Sequence, residues 1–237
     1  MENSTMLKKM SEKEKSYSLF GLALGDGHYR QSSIYIQHTD KQKEYVEMLE
    51  KIFKDAGLSY FAKYNSSAET SYGTYIYHRI RVSVPQRRHY DKYNRLINQD
   101  GVKHLSDYVL NRITALGLLF WWLDDGTLHV SHKDGRTKRF GYLSTESFSE
   151  FDNEKLVKML QKRFNIETRI HHYREYCRLY INATNFKKLL DLWRKYLPDI
   201  CETMRYKLNP RYGEWKERGV EDDTISQYSY QCLFKSV

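Results

Sequence analysis

Residues 118–126 read LLFWWLDDG, an apolar run that closes on two aspartates and a glycine. A helix C-terminus carries roughly −0.5 of a charge on its unpaired carbonyls, so acids there cost about 0.3–1 kcal/mol where a lysine would help. The same ending occurs earlier, in LFGLALGDG at 19–27. One Asp-Gly pair is a common turn opener, and glycine after a helix is routine. Two such endings in one chain ask for a reason beyond turn chemistry.

Working outward from the two runs, the chain repeats itself. Asp26-Gly27 and Asp125-Gly126 lie 99 residues apart, and the same offset lays YIYHRIRVSV (75–84) on REYCRLYINA (174–183). A basic amphipathic stretch follows each, QRRHYDKYNRLI (86–97) and NFKKLLDLWRKYL (185–197). EYVEMLEKIF (44–53) resembles EKLVKMLQKRF (154–164), after an insertion near HKDGRTKR (132–139) in the second copy. Recurrence in fixed order is the signature of duplicated units. The expected organisation is a first repeat over 12–98, a linker over 99–111, a second repeat over 112–208 and a C-terminal extension over 209–237.

Periodicity gives each repeat the order helix, two strands, helix, two strands, helix. This is an α+β class with antiparallel hairpins, each repeat contributing a four-stranded sheet. The strands alternate. Ile80, Val82 and Val84 interleave with Arg79, Arg81 and Ser83; Cys177, Leu179, Ile181 and Ala183 interleave with Arg178, Tyr180 and Asn182. A half-buried sheet hides one such set and presents the other. The other strands add Arg30, Tyr35, Gln37 and Lys63, then Lys133, Lys138, Arg169 and His171. Arg, Gln and Asn suit base edges in the major groove, so the presented faces read as a nucleic-acid surface.

Composition agrees. The 237 residues include 39 Lys and Arg against 30 Asp and Glu, a net charge of +9, with 21 tyrosines and only 3 prolines. Such a chain has the apolar and aromatic content to build a core, and its basic excess favours a polyanionic partner. The apolar runs are far shorter than the ~18 residues of a membrane span, and the N-terminus lacks the apolar segment of a signal peptide. The three cysteines, Cys177, Cys201 and Cys232, show no metal-finger spacing, which argues against a disulfide framework or a zinc site. His171 and His172 are strand neighbours and face opposite ways. A soluble, intracellular protein is expected.

Gly21 and Gly25 have the spacing that lets a helix approach a neighbour closely, and the uniformly apolar second run suits a buried partner. If the two helices pack in parallel across a pseudo-twofold axis, their terminal carboxylates, Asp26 and Asp125, meet beneath the two sheets. Paired carboxylates repel unless a cation sits between them. Mg²⁺ takes carboxylate oxygens and keeps waters, and on a basic surface it would support metal-assisted displacement at a phosphate.

LFGLALGDG and LLFWWLDDG resemble the two copies of the motif of LAGLIDADG homing endonucleases, in the single-chain, two-repeat form usually encoded within group I introns. The resemblance spans roughly 16–208. It implies a saddle of two four-stranded sheets over double-stranded DNA, with the motif helices at the interdomain interface. It also implies cleavage of both strands across the minor groove, leaving 3′ overhangs at a long asymmetric site. Mg²⁺ would be the working ion, Mn²⁺ a substitute, and Ca²⁺ would bind without supporting cleavage. Asp26 and Asp125 would ligate the metals, joined by the backbone carbonyls of Gly25 and Asp124; because Asp124 stands in the place of Gly25, its side chain receives no role. Lys103 in VKHL and Lys207 in RYKLNP occupy matching places and would stabilise transition-state charge or order water. Phe120, Trp121 and Trp122 depart from the family pattern and would put bulk opposite Gly21 and Gly25. Rival readings are an RNA maturase bound to intron RNA, a non-cleaving repressor, and a basic structural or ribosome-associated protein. The resemblance also implies a monomer that works with DNA in a bacterial or phage-infected cell or in an organelle.

Overall fold

The computed structural model describes residues 7, 9–30, 32–71, 73–85, 98–99, 102–133, 136–174 and 176–208, with the side chains of 70, 98–99, 102–103, 131–133 and 136–138 outside that description. The helix expected over 86–97, the extension over 209–237 and the side chains of Lys103, Lys133 and Lys138 therefore lie outside the described residues.

The first motif helix, α1 (Glu12–Leu24), starts in a capping box. Ser11 Oγ accepts from the Glu14 amide at 3.3 Å, and Glu14 Oε2 accepts from the Ser11 amide at 2.9 Å. Two otherwise orphaned amides are thereby satisfied. The helix runs into a hairpin, β1 (His28–Arg30) and β2 (Ser33–Thr39), and a 3-10 turn leads to α2 (Lys43–Asp55). Tyr45, Val46, Leu49, Ile52 and Phe53 give α2 one apolar stripe, buried against Ile34, Ile36, Ile80 and Val82. A second hairpin follows, β3 (Tyr60–Thr70) and β4 (Gly73–Ser83).

A two-stranded ribbon, β5 (Asn98–Gln99) and β6 (Val102–Lys103), and the short helix α3 (Asp107–Leu110) precede the second motif helix, α4 (Ala115–Asp125). The sequence of elements then recurs: β7 (Gly126–Lys133), β8 (Arg136–Leu143), α5 (Glu150–Phe164), β9 (Arg169–Tyr173), β10 (Tyr176–Ile181) and α6 (Ala183–Trp193). The two four-stranded sheets have matching orders, β1-β2-β4-β3 and β7-β8-β10-β9, and every pairing is antiparallel. This is the α+β architecture the repeat predicts.

The contact between α1 and α4 corrects one expectation. The bulky residues of the second motif do not oppose the glycines of the first. A Cβ on Gly21 would fall 1.7 Å from the Gly117 carbonyl oxygen, and one on Gly117 would fall 3.0 Å from that of Ser18. The approach is thus small-to-small on both sides, with Ser18 Oγ and Thr114 Oγ1 2.8 Å apart beside it. Gly117 supplies the partner that the reading of motif two overlooked.

Phe120, Trp121 and Trp122 are buried all the same. Trp122 packs on Phe186 and Trp193, with ring centroids at 5.2 and 6.1 Å, and its Nε1 donates to the Lys207 carbonyl at 2.9 Å. Gly126 and Gly141 leave room for it, since a Cβ at either would lie within 2.6 Å of the indole. Trp193 is itself fully buried, and its Nε1 donates to the Ala115 carbonyl at 3.0 Å. Trp122→Ala is expected to lower unfolding stability by about 3–5 kcal/mol, the usual cost of emptying a large aromatic site. Chemical denaturation of the variant beside wild type checks this.

Candidate active site and nucleic-acid interface

The two motif helices end side by side, and their acids are linked across the interface. The Asp26 amide donates to Asp124 Oδ2 at 3.2 Å, and the Tyr45 hydroxyl donates to Asp124 Oδ1 at 2.7 Å. Gly25 makes this possible, because a Cβ there would meet Asp124 Oδ2 at 2.4 Å. Burial and the Asp26 charge push the Asp124 carboxyl well above the usual carboxylate range, the Tyr45 hydrogen bond opposing them in part. Asp124 therefore does structural work at the interface, holding α2 and the end of α1.

Asp26 is exposed and lies 4.0 Å from Nδ1 of the buried His38. Burial lowers the His38 pKa, with Asp26 pulling the other way. Asp125 closes α4; its Oδ2 accepts from Trp121 Nε1 at 3.0 Å, and its carbonyl from the Ser144 amide at 3.0 Å. Ligand atoms of Asp26, His38 and Asp124 all fall within 4.8 Å of one another.

The lysine that the opening run lacks arrives from elsewhere. Lys207 is 7% exposed, and its Nζ donates to the carbonyls of Leu123 and Asp124, both at 2.6 Å. A cation is thus placed on the carbonyl end of α4, where the helix dipole favours it. Burial lowers the Lys207 pKa while the charges of Asp124, Asp26 and Asp125 raise it. The Asp124 carbonyl, expected to face a metal, is consequently engaged by Lys207.

Hard oxygen donors, Asp26 exposed among them, fit a hard divalent cation better than a soft one. Lys207, the buried cation beside them, already spends hydrogen bonds on backbone, so it does not replace an ion between the carboxylates.

Both sheets turn a polar or aromatic face away from the helices. In the first, cross-strand registers place His28 opposite Tyr35, Tyr35 opposite Arg81, Gln37 opposite Arg79, Phe61 opposite Arg81 and Lys63 opposite Arg79, with Arg30 two residues beyond His28. Asp26, His28, Tyr35, Gln37, Phe61, Lys63, Arg79 and Arg81 line a concavity of about 650 Å³. The Arg81 guanidinium lies 5.9 Å from the ring centres of both Tyr35 and Phe61.

The second face is more aromatic than the sequence reading allowed. His129, Phe140, Tyr142 and Tyr180 form a run of ring contacts at 5.3–5.8 Å, extended by His171 at 5.2 Å from Tyr142. Arg178 stacks 3.8 Å over Tyr142. Arg178 Nε and His171 Nδ1 are screened from solvent without a hydrogen-bond partner among the described residues. Arg169 pairs across from Tyr180 on the same face. Asn182 is a correction: β10 ends at Ile181, and the Asn182 side chain caps α6, accepting from the Asn185 amide at 2.9 Å.

His28, Phe61, His129, Phe140 and Tyr142 escaped the sequence reading. None is a lysine or arginine, but strict alternation with Tyr35, Lys63 and Tyr180 in register places them.

Matched sheets, small-residue helix packing and acids at the two helix ends define a two-repeat saddle with an acidic centre at its root. Residues 17–189 match the model of the LAGLIDADG DNA endonuclease family, and the chain belongs to that family. It is 25% identical over 209 residues to probable intron-encoded endonuclease 1 of Wickerhamomyces canadensis, spanning 86% of each chain. Probable intron-encoded DNA endonuclease 3 of Mycosarcoma maydis is 29% identical over 103 residues, covering 44% of this chain and 69% of the relative. Among solved structures, the homing endonuclease I-WcaI bound to its DNA recognition sequence superposes with a TM-score of 0.64 at 21% identity, over 86% of this chain and 90% of that one.

Proposed function

We propose that this protein is a site-specific, metal-dependent DNA endonuclease that cuts both strands of a long asymmetric target. The observation that carries this reading is the meeting of the two motif-helix ends, where the Asp26 amide donates to the Asp124 carboxylate one residue before Asp125, and where Asp26 borders the concave polar face of the first sheet. Family membership and the intron-encoded relatives support the same activity.

Asp26 and Asp125 would hold Mg²⁺, or Mn²⁺ in its place. The bound ion would supply neutralisation of phosphate charge and an acidified water. The protein's share is positional. Trp121 fixes the Asp125 carboxylate, and Asp124 fixes the end of α1 that carries Asp26. Lys207 contributes positive potential to the acidic centre from a buried position, steadying the negative charge that develops at the attacked phosphate. Lys103 is proposed for the equivalent task in the other half. Strand cuts staggered across the minor groove, with 3′ overhangs, complete the reading, and the protein acts as a monomer on DNA inside a cell or organelle.

The two faces differ in chemistry, so the two half-sites differ in sequence. Arg79→Ala and Arg81→Ala sort contacts by kind. A phosphate contact lowers the salt slope of binding by about 1; a base contact relaxes one position by about 1–3 kcal/mol. Fluorescence anisotropy across a salt series reads both. An unchanged slope and unchanged sequence preference in both variants would remove the first sheet from the interface.

Incubating the protein with its own coding locus, intron sequence deleted, tests the function. Discrete double-strand cleavage in Mg²⁺ and binding alone in Ca²⁺ are expected. Tight binding to intron RNA with no DNA cutting in any divalent ion would favour a maturase.

A further inference from the structure

Away from the motif helices, three side chains of different ligand chemistry converge at the outer edge of the second sheet. His172 on β9 and Cys177 on β10 are directly opposed in register, and Glu150 opens α5 beneath them. Cys177 Sγ and His172 Nδ1 are 3.4 Å apart; His172 Nε2 and Glu150 Oε1 are 3.5 Å apart. One ligand atom from each of the three falls within 4.8 Å of the others. His171, the neighbouring residue, faces the opposite side of the sheet, against Tyr142.

We propose that Glu150, His172 and Cys177 form a second metal site, specific for a borderline ion of the Zn²⁺ class and separate from the acidic centre. The donor set decides the ion. Thiolate and imidazole select Zn²⁺ and its neighbours over Mg²⁺ or Ca²⁺, which require oxygen. The spacing agrees. Zn–S of about 2.3 Å and Zn–N of about 2.0–2.1 Å at a tetrahedral angle put sulfur and nitrogen about 3.5 Å apart. The observed 3.4 Å needs almost no movement. Glu150 and His172 are well exposed, so the carboxylate can swing onto a bound ion and water can complete four ligands. The site is also remote in topology: β9 is the edge of the sheet opposite β7, which continues directly from Asp125.

Burial and the Glu150 charge raise the Cys177 pKa, so the thiol keeps its proton until an ion displaces it. Binding therefore forms an S–metal bond and releases one proton to solvent. Its structural consequence is a clamp between the start of α5 and the edge hairpin.

Co²⁺ spectroscopy on the full-length, chelator-stripped protein without DNA tests the site. One equivalent of Co²⁺ should give a thiolate-to-cobalt charge-transfer band, displaced by Zn²⁺ and untouched by excess Mg²⁺. The band should vanish in Cys177→Ser and persist in Cys201→Ser. His172→Ala should weaken Co²⁺ binding by more than the roughly 10–100-fold typical of changes at residues that only orient a ligand. On wild type, Zn²⁺ should protect Cys177 from alkylation, read by peptide mass spectrometry. Absence of the band, its survival in Cys177→Ser, or equal alkylation rates with and without Zn²⁺ would each overturn the proposal.

Discussion

Asp125→Asn should abolish Mg²⁺-dependent cleavage, whereas Asp124→Asn, one residue earlier, should leave it largely intact. The two acids lie in different surroundings. Asp124 accepts from the Asp26 amide and the Tyr45 hydroxyl, and burial disfavours its charge. An asparagine there keeps both contacts, its oxygen accepting from Asp26 and its amide donating to Tyr45, for a stability change within about 1 kcal/mol. Asp125 is proposed to hold the ion, and an amide supplies neither the charge nor the same affinity. Its replacement should cost more than the roughly 10²–10³ that one transition-state hydrogen bond is worth. Asp26→Asn should match it. DNA affinity should survive in all three, because each change removes negative charge near a polyanion. Single-turnover cleavage with parallel binding titrations reads the contrast. Loss of cutting in Asp124→Asn with activity retained in Asp125→Asn would move the metal to the cluster of Asp26, His38 and Asp124.

A stability effect comparable to that of emptying the Trp122 site is expected at the helix contact. Gly21→Ala adds one methyl group 1.7 Å from the Gly117 carbonyl oxygen, and backbone cannot rotate away as a side chain can. The helices must separate, and the acids at their ends separate with them. A loss of at least about 3 kcal/mol is expected, at the upper end of overpacking costs. Gly57→Ala provides the contrast. Gly57 has a φ of +69° with nothing within 4 Å of a new Cβ, so only left-handed backbone strain of about 1–2 kcal/mol applies. Urea midpoints of the two variants rank the effects. Equal destabilisation would mean that α1 and α4 do not meet through glycine. Gly21→Ala should also lower cleavage in whatever fraction remains folded, because Asp26 moves.

Much of this was legible because the repeat encodes it twice. Alternation in 75–84 and 174–183 placed Arg79, Arg81, Arg178 and Tyr180 on one side of their sheets, and the burial of Ile80, Val82, Leu179 and Ile181 follows it. Strand ends are harder to place. Asn182 continues the alternation on paper, yet its side chain serves the next helix, a choice made by the α6 backbone amides. Gly117 was missed because a uniformly apolar helix gives no period to show which face meets the partner. The role of Asp124 was equally hidden. Nothing local announces that a carboxylate will replace a second glycine and bind the hydroxyl of Tyr45, 79 positions away in the chain. Lys207 is legible from its place after the second repeat, whereas its hydrogen bonds to Leu123 and Asp124 depend on tertiary packing.

The most direct test of the central claim is a crystal of the protein on its DNA target, grown with Mn²⁺ and measured at the manganese absorption edge. The account predicts anomalous density at the base of the saddle, coordinated by the carboxylates of Asp26 and Asp125 and by phosphate oxygens of the target. DNA seated on the two sheets with no manganese at those two residues would contradict it.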